Sequence, residues 1–498
     1  MLLTPFYKLT LKMVGLIVAI VIACRLTQDY AMVLITMVGV FYSLSNQRGK
    51  ALVIYLIFPF LGFFNPLILP HTPAFAMFSR LGTLAMTGAL LIASVRSPGK
   101  ERIPLGGLYF FMIVAVISSL QGWFPMISFL KLANFLVFIS GIYIGTRNLH
   151  HRPHDIVLLR ATFMALSFIL VFGSVATLPF PAISYITSLK YYIQEGGIAY
   201  AEALFESNES AQIALFAGIT NHSQFLAPAL VCINVWVLCD MLLIEKKIEK
   251  AHLALLGVCP LLIFMTRSRI GFFGYAASLA FVYTFTLPKS ALSGRARARL
   301  SGWMFALLIL LIVWAVTFEV REQTISRWLR KTEEVQTDQR SLKEALTDSR
   351  QGTIELCMSE FRRSPLLGSG FQVLEVHRAQ YERGEISLFS APLEKGILPL
   401  MVLGETGVLG ATVFGIFLVT FVLGCLKSKY IATLTLFSCL LMTNMGEATF
   451  FAPSGGGGVL WMLTAVGGFL IDMSNVVERR MGAARAGLRA QFGFTGGR

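Results

Sequence analysis

The sequence predicts an all-α fold, a polytopic transmembrane helical bundle of about 12–14 spans with one large, partly helical loop on its outer side. Three observations predict it. Apolar stretches recur along the whole chain, each near the roughly 20 residues that cross a bilayer, and 55% of the residues are hydrophobic against 14% charged. One polar island, Arg321–Lys395, interrupts them. It cannot sit in hydrocarbon, where unpaired backbone groups and charges are strongly disfavoured. The short links alternate between basic and base-poor, as orientation by positive charge requires.

Taken in order, the spans fall near 9–26, 29–45, 51–69, 74–94, 104–121, 126–145, 155–175, 223–244, 252–266, 268–287, 301–320, 397–425, 429–447 and 457–474. Met1–Leu26 has a basic start, Lys8 and Lys12, but no small-residue cleavage site, so it reads as the first span. The chain thus divides into helices over 1–320 with an outer loop at 176–222, the large loop at 321–396, further helices over 397–474 and a basic tail at 475–498. The basic links carry Arg48 and Lys50, Arg96 to Arg102, Arg147 and Arg152, Lys246 to Lys250, Lys289 to Arg299, and Lys427 with Lys429. All fall on one face with the tail, which the charge rule makes cytoplasmic, with both termini inside. The net charge of +15 sits in these links and the tail. It reads as an orientation signal and not as nucleic-acid binding.

The other face holds the island, the 176–222 loop and the turn Met265–Arg269. Of seven cysteines only Cys357 falls there, so these loops fold without an internal disulfide. Cys24, Cys232, Cys239, Cys259, Cys425 and Cys439 sit in apolar runs as small hydrophobes, with no metal-ligand spacing. The expected cofactor and metal content is none.

Four stretches on the outer face carry chemistry. Arg267 and Arg269 flank Ser268 between two apolar spans. Two readings stand open: snorkelling to lipid headgroups, or an anion site, since guanidinium binds phosphate bidentately and keeps its charge. Arg350 leads a segment in which Ile354, Cys357, Met358 and Phe361 recur at helical spacing. Ser364-Pro365 ends that helix and Gly368 and Gly370 form a turn; taken alone, Arg350 is a solvated residue on a surface helix. Pro392–Gly410 descends into the membrane with Glu394 at its mouth and Glu405 inside apolar sequence. Glu405 is either a structural acid paired in the bundle or a functional carboxylate. Gly218-Ile-Thr-Asn221-His222-Ser-Gln224 opens a span with polar groups that serve as a helix cap or as ligands for a substrate.

Together these stretches resemble the O-antigen ligase and polymerase superfamily of integral-membrane glycosyltransferases. The match runs through Gly218, Asn221, His222 and Gln224; then Ser268, Arg269 and Gly271; then Arg350, Pro365, Gly368 and Gly370; then Glu405, Gly407 and Gly410. The four motifs stand in the family's order over residues 210–450. The family's ligases carry a His-Asn pair just before the last motif, where this chain has Gly396, with Glu394 two residues earlier. That departure points to a polymerase-like member.

The resemblance implies a bacterial inner-membrane enzyme acting at the periplasmic face without a metal. Its partners would be a polyprenyl-diphosphate-linked glycan donor, a glycan or lipid acceptor, membrane lipids, and polysaccharide assembly or export proteins. Arg269 and Arg350, with Arg267, would clamp the diphosphate; Glu394 or His222 would accept the acceptor's proton; Asn221, Gln224 and Glu405 would line the substrate site. The alternative is a polysaccharide or lipid-linked oligosaccharide transporter, which shares the hydropathy but should show internal repeats. A structural assembly scaffold would not need arginines at the outer turn.

Overall fold

The computed structural model describes residues 5–184, 216–306, 354–373 and 397–478, apart from 28, 46, 71–72, 96–102, 148, 222, 245–248, 267, 291–292, 296, 447 and 454. The described chain is helical, and its one β-bridge, Phe64 with Thr220, lies outside any strand. Seven long helices precede the gap at 185–215: α1 Pro5–Thr27, α2 Asp29–Leu44, α3 Arg48–Leu61, α4 Pro73–Val95, α5 Gly106–Gln121, α6 Pro125–Gly145 and α7 Pro153–Ala176, with a single turn of helix at Pro181–Ser184. Then come α8 Ser223–Leu243, α9 Lys250–Met265 and α10 Arg269–Phe281, which runs on through a π turn to Thr286. A short helix over 354–363 is α11. The last three are α12 Leu398–Ser428, α13 Ile431–Thr443 and α14 Gly455–Glu478, the last with a π turn at Met462–Val466.

Among the described residues, eight helices are long and apolar enough to cross a membrane, and four shorter apolar ones accompany them. An element that is apolar all round must be wrapped by protein or by lipid, and both cases occur. Residues 226–243 of α8 are all buried, and so is 89% of an 18-residue apolar stretch of α14, against 22% of such a stretch in α1 and 28% in α12. So α8 and α14 form the centre. The outer helices turn residues such as Leu16, Phe41, Leu84, Phe110 and Val419 outward, the surface a bilayer would cover. Neighbours pack as α2 on α4, α5 on α12, α8 on α9, α1 on α7 and α10 on α13.

The links sort to two ends. At one end Asn65 N–H donates to the Ile219 carbonyl (2.8 Å) and Asn221 N–H to the Phe63 carbonyl (3.1 Å). The turns at 122–124, 266–268 and 444–453 lie at this end. At the other, Arg48 Nη1 donates to the Arg147 carbonyl (3.0 Å), and Gly49 N–H donates to Asp155 Oδ2 (3.2 Å). The described basic links gather there, as the charge pattern predicts. The expected span at 51–69 is shorter than its apolar run: α3 stops at Leu61. The remainder forms a buried turn whose polar groups are met by residues 219–221. Of the expected span 301–320 only 301–306 falls within the described residues.

The basic end holds a buried polar cluster that the sequence pattern did not reveal. Arg160 of α7 meets Asp240 of α8 bidentately, Nε to Oδ1 at 3.0 Å and Nη2 to Oδ2 at 2.9 Å. His252 Nε2 of α9 lies 3.4 Å from Asp240 Oδ2, and the Tyr7 hydroxyl of α1 lies 3.4 Å from His252 Nδ1. Three helices thus meet at one fully buried carboxylate, and α1 joins them through His252. Nearby in kind, Asp472 of α14 caps α13 from outside. It accepts from the Ala432 and Thr433 N–H groups (3.1 and 2.9 Å) and from the Thr433 hydroxyl (2.7 Å).

Candidate functional site: a broken helix clasped by a glycine loop

The site grows from a defect in α12. Gly407 takes φ +63° and ψ −167°, so the helix breaks between Thr406 and Val408. A break strands carbonyls above it and N–H groups below it, and in apolar surroundings each stranded group costs about several kcal/mol. The loop after α11 supplies the partners. Ser369 N–H donates to the Gly404 carbonyl (3.0 Å) and Gly370 N–H to the Glu405 carbonyl (3.1 Å). In return, Val408 N–H donates to the Pro365 carbonyl (2.8 Å) and Leu409 N–H to the Leu366 carbonyl (3.2 Å). The two stretches complete each other. Ser118 Oγ of α5 adds a second donor to the Glu405 carbonyl.

Two glycines make the approach. Gly368 takes φ +73°, and a Cβ there would lie 2.3 Å from the Glu405 carbonyl carbon. A Cβ on Gly407 would lie 2.3 Å from the Leu366 carbonyl carbon. Each glycine is therefore required by the backbone of the segment it faces, Gly368 by Glu405 and Thr406 and Gly407 by Leu366 and Leu367. The Pro-x-x-Gly-x-Gly turn and the Glu-x-Gly-x-x-Gly descent, separate motifs in the sequence, form one interlocked structure.

The loop is held from below as well. Phe371 N–H donates to Ser119 Oγ (3.4 Å), and Trp123 N–H to the Ser369 carbonyl (3.4 Å). The Lys131 ammonium donates to the Gln372 carbonyl (3.1 Å), and Gln372 Nε2 to the Phe451 carbonyl (2.9 Å). Phe451 sits among Phe111, Phe135, Phe371 and Phe450, with ring centroids 5.0–5.3 Å away.

The Ser-Arg turn lies at the same end. Thr266 closes α9, and Ser268 caps α10 by accepting from Gly271 N–H (3.3 Å). Ile270 packs on Gly446, and the Asn444 carbonyl accepts from Leu398 N–H (3.1 Å). The 444–446 turn thus joins the start of α10, where Arg269 stands, to the start of α12. Only the backbone of Arg269 is described. Glu405 is buried seven residues into α12, about 10 Å along its axis at 1.5 Å per residue. Asn221 stands beside the 63–65 turn, with its Oδ1 buried and lacking a hydrogen-bond partner among the described residues. Gln224 is half-buried in the first turn of α8. Arg350, Glu394, Arg267 and His222 lie outside the described residues.

Two ionisable groups here escaped the sequence pattern. Glu360 is buried on the face of α11 that carries Cys357, against Gly404. Its signal was an acid three residues after Cys357 on the apolar face. Lys131 is buried in α6; its signal was a lone charge within ISFLKLANFLVF. Compared with known proteins, the chain matches no protein-family model, and no curated protein is significantly similar to it.

Proposed function

We propose that the chain is a membrane glycosyltransferase that polymerises or ligates polyprenyl-diphosphate-linked glycans at the outer face of a bacterial inner membrane. One observation carries the reading. Two motifs that the resemblance brings together only by order, at 365–370 and 405–410, meet backbone to backbone at the end of the bundle where Arg269 stands. A long polar segment anchored so firmly to a membrane helix suits an enzyme that must align two large substrates at an interface.

In this reading Arg267, Arg269 and Arg350 bind the diphosphate. An acceptor hydroxyl oxygen attacks the anomeric carbon. The bond from that carbon to the diphosphate oxygen breaks, and the leaving polyprenyl diphosphate keeps the electron pair. Glu394 or His222 takes the hydroxyl proton. Asn221, with its unmet acceptor, and Gln224 bind donors on the sugar, and Glu405 lines the inner wall. The arginines act most strongly as charge gathers on the leaving group. Loss of the planar fork in Arg269→Lys should therefore cost about 2–4 kcal/mol of barrier, two to three decades in rate. Purified protein with lipid-linked glycan checks this; wild-type turnover by both Arg269→Lys and Arg350→Lys makes them lipid anchors.

The broken helix favours the alternative, a transporter, because such folds place broken helices at their sites. In α12, however, the gap is filled by the 365–370 loop. Deletion of the gene followed by sizing of surface polysaccharide decides the matter. Loss of long chains with single repeats remaining supports a polymerase, and long chains held on the lipid carrier support a ligase. Repeats trapped at the inner face overturn the transferase reading in favour of transport.

A further inference from the structure

Lys131 is the lone charge in the run Ile127–Phe138. It lies six residues, about 9 Å, inside the start of α6 and is 5% exposed. A cation there is strongly disfavoured unless it works against something specific. Its ammonium donates to the carbonyl of Gln372, a residue held at φ +55° and 3% exposed. Gln372 in turn donates its side-chain amide to Phe451. One turn before Lys131, Ser128 Oγ lies 3.4 Å from where a Cβ on Gly370 would stand. Strained backbone of this kind persists where the surroundings over-determine it, and it clusters at functional sites.

We propose that Lys131 is a positioning residue for transfer. Its ammonium fixes the Gln372 carbonyl and keeps the 365–373 loop seated in the break of α12, in the register that the reaction needs. This role rests on the transferase reading and adds to it a residue that none of the four motifs contains. Lysine has the right chemistry for it. The ammonium makes a charge-assisted bond to a carbonyl, stronger than a neutral donor would, while its stem packs among apolar neighbours.

The test uses the full-length protein in vesicles of phosphatidylethanolamine and phosphatidylglycerol, with a polyprenyl-diphosphate-linked glycan as substrate. Lys131→Met keeps the length of the side chain and removes the ammonium. It should lower kcat about 30-fold, the scale of one lost charged hydrogen bond, with KM within about twofold. Amide exchange should quicken over 365–373 and 404–409 alone, with the melting temperature little changed. Lys131→Arg should restore slow exchange and part of the rate. If Lys131→Met does not accumulate, Lys131→Gln should give the same local pattern at smaller amplitude. A kcat within threefold of wild type in either neutral variant, or exchange that quickens uniformly across the bundle, overturns the proposal. Wild-type protein that transfers nothing removes the transferase reading and this role with it. Wild-type protein that transfers while Lys131→Met transfers equally removes this role alone.

Discussion

The bundle is pinned at both ends, by opposite means. At the loop end, 365–370 and 404–409 exchange four backbone hydrogen bonds through two close glycine approaches. At the basic end, Arg160, Asp240, His252 and Tyr7 join four helices through side chains alone. The first junction is made main chain to main chain, with side chains bracing it from outside, and is intolerant of added volume. The second depends on charge balance. A backbone clasp fixes two segments in one register, because sliding by a residue loses every bond together. A charge cluster fixes four helices against one another without fixing the path of any loop.

The largest expected effect tests the intolerance to volume. Gly407→Val and Gly368→Val each drive a branched side chain into backbone held by the partner segment. Each should cost about 4 kcal/mol or more, the range reserved for severe mechanisms, read as loss of the folded fraction in a detergent unfolding titration. A destabilisation below about 1 kcal/mol would mean the clasp opens freely. Next comes charge balance. Asp240→Leu leaves Arg160 buried without its partner and should cost about 3–5 kcal/mol, whereas Arg160→Met with Asp240→Leu should regain most of that loss. Equal loss in the single and double variants would remove the contrast between the ends. Smaller again, Asp472→Ala uncaps α13 and should cost about 1–2 kcal/mol, with faster amide exchange at Ala432 and Thr433. Smallest, Ser118→Ala removes one of two donors to the Glu405 carbonyl and should cost about 1 kcal/mol. The carbonyl keeps Gly370, so a larger loss would make Ser118 the main support of the break.

Helix identity was legible because an apolar run of fixed length has few alternatives in a membrane. The links at Thr266–Arg269 and Gly218–Gln224 were legible for the same reason, since polar residues between two runs must turn. The end of α3 was legible in part: Asn65-Pro66 reads as the start of a link, but the apolar residues around it carried the expected span to 69, and the pairing with 219–221 lies far off in sequence. The site was visible in pieces. Gly368 and Gly407 each announced an unusual backbone, but their contact runs through main-chain atoms, which carry no residue-specific signal. Lys131 was a single charge in an apolar run and Glu360 one of several charges on a short amphipathic helix, and one sequence gives no partner for either. Asp240 and Arg160 are 80 residues apart, beyond the reach of any local pattern.

The clasp also dictates an order of events during synthesis. The donors on Ser369 and Gly370 precede their acceptors on Gly404 and Glu405 by 35 residues. When the loop leaves the ribosome, the helix that will receive it has not been made. Until then the loop's amides need water, so the segment must wait in the aqueous phase. The upper half of α12 must likewise reach the membrane surface before its break can be closed. Closure is thus a late step, taken after insertion. A chain halted before Gly410 would expose the waiting glycine loop to proteases, and that vulnerability would vanish only once α12 had crossed.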